Sequence, residues 1–141
     1  MIEVVAPVRT DHDQRWAVEF LAGLNRQEPI HVHVLSVQPR YSGQVRLFLS
    51  PTWLHAVQRE DAEQEMAPLC QALRERGIEY EQHVVEGSSA EEIARFVREH
   101  HCSQVVMGPL SPGHLSERIF GSLNRQVEHL LQQAGERCEV H

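Results

Sequence analysis

The chain has 141 residues, which is the length of one domain. Its composition, with 41% hydrophobic and 23% charged residues, is typical of a globular protein. Thirteen basic against twenty acidic residues give a net charge of −7, which disfavours nucleic acid as a partner. All thirteen basic residues are arginine, so P-loop and Schiff-base lysine chemistry is excluded. No apolar run has the length of a membrane span and no signal peptide is evident, so we expect one cytoplasmic domain over residues 1–141 with no membrane partner.

The first third of the chain predicts a strand, a helix and a second strand. Ile2–Val8 is a short apolar run, and Asp11 or Asp13 is placed to cap the helix that follows. That helix carries apolar residues at positions 17, 20, 21 and 24, which form one helical face. Ile30–Val37 is apolar or β-branched at nearly every second position and predicts a buried strand.

The middle of the chain predicts a long helix. Ser50 is placed to cap it, and Gly77 to end it. We expect Pro68 to kink or divide this helix, because proline removes a backbone donor and crowds the preceding turn. The polar stretch Gln58–Glu65 is interpreted as a solvated face.

The last third alternates again between strands and helices. Tyr80–Glu86 predicts a strand near a sheet edge, and Ser89 with Glu92 has the spacing of a helix-capping box. Ser103–Met107 predicts a further strand. A helix is predicted from about Gly121, and Cys138–His141 is interpreted as the beginning of a last strand.

Strands that alternate with helices predict a parallel sheet covered on both faces, a doubly wound α/β fold. In such folds ligands bind beyond the carboxyl ends of the strands, where the strand order reverses. Two positions answer that description: the end of the first strand, Pro7 to Asp11, and the loop after Met107.

The loop after Met107 has the composition of an anion site. A strand breaks at Gly108, a Pro/Gly/Ser-rich segment follows, and Gly121-Ser122 precedes the apolar Leu123 at the head of a helix. Backbone N–H groups of such a loop and of the first helical turn can donate to a phosphate. The same arrangement also occurs in α/β crossovers that bind nothing.

These residues resemble the universal stress proteins. The pattern of that family is G-x2-G-x9-G-[S/T] after a V-x-M-G strand end, and Gly108, Gly121 and Ser122 match it. Its second glycine is replaced by Ser111. The start of the chain is similar to the family's P-V-D-G-S strand end, of which Pro7 and the following valine are present.

The resemblance implies an open three-layer α/β fold of the adenine-nucleotide alpha-hydrolase type, with a five-stranded parallel sheet of order 3-2-1-4-5. It also implies a homodimer built through the last strand. In ATP-binding members an acidic residue contacts the nucleoside where this chain has Arg9, and a valine that packs against adenine corresponds to Val37. An arginine there removes an acceptor for the nucleoside hydroxyls, and Ser111 restricts a loop that needs glycine.

Three function classes follow from this resemblance. We favour a non-enzymatic homodimer with a stress or regulatory role and a degenerate nucleotide site, which holds no firm cofactor. The alternative is a member that binds ATP or AMP and regulates a partner through nucleotide occupancy. A weak ATPase or transferase that uses the same loop is the third. Pro7, Arg9, Val37, Met107, Gly108, Ser111, Gly121, Ser122 and Leu123 are the candidate residues for a nucleotide or another small anion.

Two other site types are weighed and set aside. His31 and His33 share one face of a strand, and His100-His101-Cys102 lies at a helix end, but neither set offers three ligands at a known metal spacing, so no metal site is predicted. A receiver domain would use an acidic pair such as Asp11 and Asp13, but it also needs a lysine, which the chain lacks. No catalytic residue is predicted.

Overall fold

The computed structural model describes residues 1–40, 51–110 and 122–141. Five strands and four helices are described in these ranges, and strands and helices alternate along the chain. The strands are β1 (Ile2–Pro7), β2 (Ile30–Gln38), β3 (Glu79–Glu86), β4 (Gln104–Val105) and β5 (Glu139–Val140). The helices are α1 (Gln14–Gln27), α2 (Pro51–Glu75), α3 (Ser89–His100) and α4 (Leu123–Gln133).

The strands form one parallel sheet of order β3-β2-β1-β4-β5, so the predicted fold and strand order are confirmed. β1 lies at the centre and the order reverses beside it, between β2 and β4. This reversal places the carboxyl ends of β1 and β4 next to each other, where a cleft is expected in a doubly wound sheet. The strand predicted at Tyr80–Glu86 is β3, and it is an edge strand as expected.

Two apolar layers cover the sheet. On one face Val4 and Val32 pack with Leu21 of α1 and Met66 of α2. On the other face the strands pack with residues of α3 and α4. All four of Val4, Val32, Leu21 and Met66 are at most 1% exposed, so burial of this layer is a principal stabilising contribution. None of the helices in the described ranges is long and apolar enough to cross a membrane.

Of the predicted helix starts, that of α1 is confirmed with Asp13 as the cap, and that of α3 is wrong by one residue. Asp13 is the N-cap of α1 and accepts a hydrogen bond from the Trp16 amide at 3.2 Å, whereas Asp11, the alternative cap, bonds elsewhere. Ser88, not Ser89, is the N-cap of α3, and its side chain makes no capping hydrogen bond. A cap preference is a local signal, and the tertiary position of the helix decides which neighbouring residue takes the role.

The long helix also differs from its prediction. Pro68 lies inside α2, which is continuous over 25 residues, so the predicted division is wrong and the alternative of a kink stays a prediction. Gln58 is 7% exposed and Ala62 is fully buried, so the stretch predicted as solvated has a buried side, because α2 packs along the sheet. The predicted cap Ser50 lies outside the described residues.

The strand before the loop is shorter than predicted, and the helix after it begins later than predicted. β4 comprises Gln104–Val105 rather than the whole of Ser103–Met107, and α4 begins at Leu123 with Ser122 as its N-cap. Gly77 has a φ of 67° just beyond the end of α2, as expected for a residue that ends a helix.

Candidate functional site

A small cavity lies beyond the carboxyl ends of β1 and β2, at the position the fold predicts. Its volume is about 140 Å³. Its lining comprises Pro7, Val8, Arg9, Thr10, Asp11, Val37, Glu65, Ser89 and Ile93. Small-molecule sites of ordinary size have volumes of about 300 to 1,000 Å³, so this cavity is smaller than a nucleoside site requires. Pro7, Arg9 and Val37, which the sequence predicts as site residues, therefore do meet at one cavity.

Arg9 is fixed by three hydrogen bonds across this cavity. Its Nε donates to Oδ1 of Asp11 at 3.0 Å and its Nη2 to Oδ2 of the same carboxylate at 3.2 Å. Its Nη1 donates to Oγ of Ser89, the first residue of α3, at 3.1 Å. The bidentate pair is the geometry in which arginine binds carboxylate most specifically. Asp11 thus occupies the edge of the guanidinium, formed by Nε and Nη2, to which a phosphate would otherwise bond.

The charge of Asp11 is strongly stabilised by this contact. Partial burial of the carboxylate raises its pKa, but the hydrogen bonds from Arg9 and His12 and their positive charges outweigh burial and lower the pKa to about 2. Asp11 is therefore ionised at neutral pH and neutralises Arg9. A second carboxylate, that of Glu65, also lines the cavity and accepts a hydrogen bond from Ser36 Oγ at 2.8 Å. The cavity therefore carries more acidic than basic side chains.

A hydrogen-bonded chain continues from Asp11 to the loop after β4. Nδ1 of His12 lies 2.9 Å from Oδ1 of Asp11, and Nε2 of His12 lies 3.3 Å from Oδ1 of Asn124 in α4. The Asn124 amide donates to the carbonyl oxygens of Gly108 and His141, each at 3.3 Å. This chain ties the end of β1 to the beginning of α4.

The backbone donors at the end of β4 are already bonded. The amides of Met107 and Gly108 both donate to the carbonyl oxygen of His141, at 2.9 and 3.0 Å. Ser122 uses its hydroxyl as the α4 N-cap and accepts from the Arg125 amide at 3.1 Å. The side chain of Leu123 is buried in the core instead of facing the cleft. Ser111 and Gly121, the two remaining candidates, lie outside the described residues.

Gly108 is required by its neighbours. It has a φ of 81°, a conformation that non-glycine residues rarely adopt, and a Cβ placed there would lie 2.8 Å from Cε3 of Trp16. The Trp16 ring stacks on Phe20 with a centroid distance of 5.0 Å. The glycine of the predicted phosphate loop is thus used for the close approach of α1.

Sequence reasoning missed four residues at this cleft: Ser89, Asn124, Glu65 and His141. Each comes from a different part of the chain, and the doubly wound topology brings them to the carboxyl ends of the strands. Only the capping potential of Ser89 is visible in the sequence, and this indicates a helix start rather than a partner for Arg9.

Comparison with known proteins supports the fold and the family. The family model described as "Universal stress protein family" matches residues 4–132. No curated protein sequence matches the chain. Among solved structures, a universal stress protein family member from Burkholderia pseudomallei is 19% identical with a TM-score of 0.66, over 98% of this chain and 92% of that one.

Two further similar structures contain nucleotides. The universal stress protein from Archaeoglobus fulgidus in complex with dAMP is 18% identical with a TM-score of 0.65, over 99% of this chain and 95% of that one. A universal stress protein family protein from Arabidopsis thaliana with AMP bound is 16% identical with a TM-score of 0.62, over 100% of this chain and 90% of that one. Likeness at this identity shows a shared fold, and the family match spans most of the sequence. The chain belongs to the universal stress protein family.

Proposed function

We propose that this chain is a cytoplasmic, non-enzymatic universal stress protein with a stress-response or regulatory role, and that it acts without tight binding of ATP. The observation that carries this proposal is the position of Arg9, whose guanidinium is bonded on two sides by Asp11 and Ser89 within the cavity. A nucleoside that entered there would have to displace these hydrogen bonds.

Three further properties of the cleft support weak nucleotide binding. The cavity of about 140 Å³ is too small for an adenine nucleoside together with its phosphates. Asp11 and Glu65 place two carboxylates around one arginine, so the local charge opposes a polyphosphate. The amides of Met107 and Gly108 donate to His141 and are therefore not available to a phosphate oxygen.

A second candidate is a member that binds AMP or ATP and regulates a partner by nucleotide occupancy. It is supported by Pro7 and Val37, which line the cavity where the family resemblance implies contact with the nucleotide. The dAMP and AMP complexes of the similar structures support it also. This candidate requires Arg9 to leave Asp11 and Ser89, so its affinity should depend strongly on residue 9.

Calorimetric titration with ATP and AMP, with and without Mg²⁺, separates the two candidates. We expect no binding in the micromolar range by the wild type, and micromolar binding would favour the second candidate. Replacement of Arg9 by Ala removes the obstructing side chain but leaves Asp11 and Glu65 without a counter-ion. It should therefore strengthen the binding of adenosine, which carries no phosphate, by about tenfold or more, which corresponds to about 1.4 kcal/mol, and that of AMP by less. Arg26→Ala, an exposed substitution on α1, is the matched control and should leave the titration unchanged.

The family resemblance also supports a homodimer formed through β5. This strand is at the sheet edge, and Glu139 and His141 donate their amides to Ser103 and Val105 on the β4 side. The amide of Val140 therefore points away from β4, towards the side where a second copy would pair. We expect sedimentation to show a dimer for the wild type and a monomer for Val140→Pro, whereas a wild-type monomer at high concentration would contradict the dimer.

A further inference from the structure

A second polar cluster lies on the sheet face covered by α3, towards the amino-terminal halves of the strands. We call it the histidine cluster. It comprises Glu3 of β1, His31 and His33 of β2, and Glu81 and His83 of β3. His33 is at its centre and its side chain is 6% exposed, so the other four polar side chains gather around a nearly buried imidazole. Neither the cleft nor the proposed function uses these residues.

Glu3 determines which nitrogen of His33 carries the proton. Its Oε2 lies 2.7 Å from Nε2 of His33 and 2.9 Å from Nδ1 of His31. A carboxylate only accepts hydrogen bonds, so Nε2 of His33 donates to it, and the lone pair of neutral His33 is on Nδ1. A carboxylate that orients a histidine in this way is the usual support of a metal-binding imidazole.

The lone pair of His33 points at two other potential ligand atoms. Nδ1 of His33 lies 2.9 Å from Nε2 of His83 and 3.6 Å from Oε2 of Glu81. All three atoms lie within 4.8 Å of one another. Ligand atoms around tetrahedral zinc are about 3.3 Å apart, given metal–ligand bonds of about 2.0 to 2.1 Å. Small side-chain shifts would therefore bring the three atoms to coordination distance.

We propose that His33, His83 and Glu81 bind one divalent transition-metal ion of the zinc class, and that Glu3 is the positioning carboxylate behind His33. Two imidazoles and one carboxylate are the ligands preferred by zinc and its neighbours in the first transition row, whereas magnesium and calcium prefer oxygen ligands throughout. Three protein ligands leave a coordination position for water or another small ligand.

The surroundings of the cluster fit a site that is closed on one side and open on the other. Phe96 and His100 of α3 stack on each other at 3.8 Å, and the Phe96 ring lies 4.8 Å from that of His83. They shield the imidazoles from the α3 side. The Glu81 side chain is 56% exposed on the edge strand β3 and gives an ion access from solvent. Binding would join β2 to β3 through side chains and thereby stabilise the fold.

A second ligand set and a metal-free arrangement are the rival explanations. Glu3, His31 and His33 also place three ligand atoms within 4.8 Å of one another. We favour the set with His83, because Glu3 accepts from both imidazoles of the rival set, and each of these would have to move its proton to its other ring nitrogen and give up that hydrogen bond. In the metal-free arrangement His83 donates to His33 and His33 donates to Glu3, so the cluster is a hydrogen-bond chain only.

The test is a titration of the untagged, chelator-treated 141-residue chain with ZnCl₂, followed by calorimetry and by thermal unfolding. We expect one zinc per chain and a higher Tm with zinc. Co²⁺ should give visible absorption bands at the same stoichiometry. His83→Gln and Glu81→Gln should each weaken zinc binding by about tenfold or more, and Glu3→Gln by about 10- to 100-fold. His129→Gln, an exposed histidine of α4, is the matched control and should not change the affinity.

Three outcomes would overturn the proposal. The first is a wild-type protein that binds no zinc, which would leave the hydrogen-bond chain as the role of the cluster. The second is zinc binding that survives His83→Gln. The third is loss of binding in His31→Gln together with normal binding in His83→Gln, which would assign the metal to the rival set. Circular dichroism of each variant without metal separates lost affinity from lost folding, and the exposed Glu81 keeps one ligand variant free of core disruption.

Discussion

The cleft and the histidine cluster lie at opposite ends of the same strands, and they use polar groups in opposite ways. At the cleft, Arg9 and Asp11 neutralise each other, and the loop amides donate to His141. At the histidine cluster, Glu3 accepts a hydrogen bond from His33 and leaves the other ring nitrogen facing His83. Helix α3 connects the two regions, because it begins beside Arg9 and ends over the histidines.

From these two regions we infer that position in a fold does not by itself decide binding capacity. The cleft is at the switch point of the sheet, where α/β proteins bind ligands, but within the described residues Arg9 and the amides of Met107 and Gly108 are bonded to other groups of the chain. The histidine cluster is away from that point, but its ring nitrogens and a carboxylate converge. Binding capacity depends on the groups that remain available to a ligand, and mutations at each region test this difference.

The largest expected effect is at Gly108. Gly108→Ala forces a positive φ on alanine and places a Cβ 2.8 Å from the Trp16 ring, so we expect a loss of about 3 kcal/mol in the free energy of unfolding. Gly135→Ala is the matched control, since Gly135 has a φ of 74° but no atom within 4 Å of the added Cβ. Its cost should be about 1 kcal/mol. Urea unfolding measures both.

Equal losses in the two glycine variants would show that the contact with Trp16 contributes nothing, and the description of the cleft as closely packed would be wrong. The Gly108→Ala variant also tests whether the cleft and the histidine cluster are independent of each other. Because that cluster lies at the other end of the strands, the increase in Tm on addition of zinc should be the same in Gly108→Ala as in the wild type.

A smaller effect is expected from the ion pair of the cleft. The pKa of Asp11 is about 2 in the folded protein against an ordinary value of 3.8, so its contribution to stability is complete above pH 4. It should disappear as the pH falls through 3.8 towards 2. Because the pair is partly exposed and screened, we expect a contribution of about 1 kcal/mol.

Urea unfolding of the wild type and of Asp11→Asn between pH 2 and pH 5 measures this contribution. The stability difference should be largest at pH 5 and mostly lost at pH 2, where about half of Asp11 is protonated in the folded protein. Asp61→Asn, an exposed substitution on α2, is the control and should give a difference that does not follow this profile. A difference for Asp11→Asn that is constant with pH would show that the ion pair does not hold Arg9 in place.

The sequence was sufficient for the fold because its signals are repeated and local. Apolar runs such as Ile30–Val37 and the 3.6-residue stripe of α4 each indicate one element, and their alternation predicts a parallel sheet. The predictions that were wrong each rested on the preference of a single residue. Pro68 does not divide α2, and Ser88 caps α3 in place of Ser89, since tertiary packing overrides single-residue preferences.

For the candidate sites, too, some features follow from the sequence and others only from the tertiary structure. The sequence by itself determined the family, the switch-point cleft and the substitution of an acidic residue by Arg9, because these follow from motif and element order. Only the tertiary structure decided that Asp11 and Ser89 hold Arg9, and that His83 faces His33 although 50 residues separate them. Parallel strands joined by helices bring such residues together through strand register, and no spacing along the chain records that register.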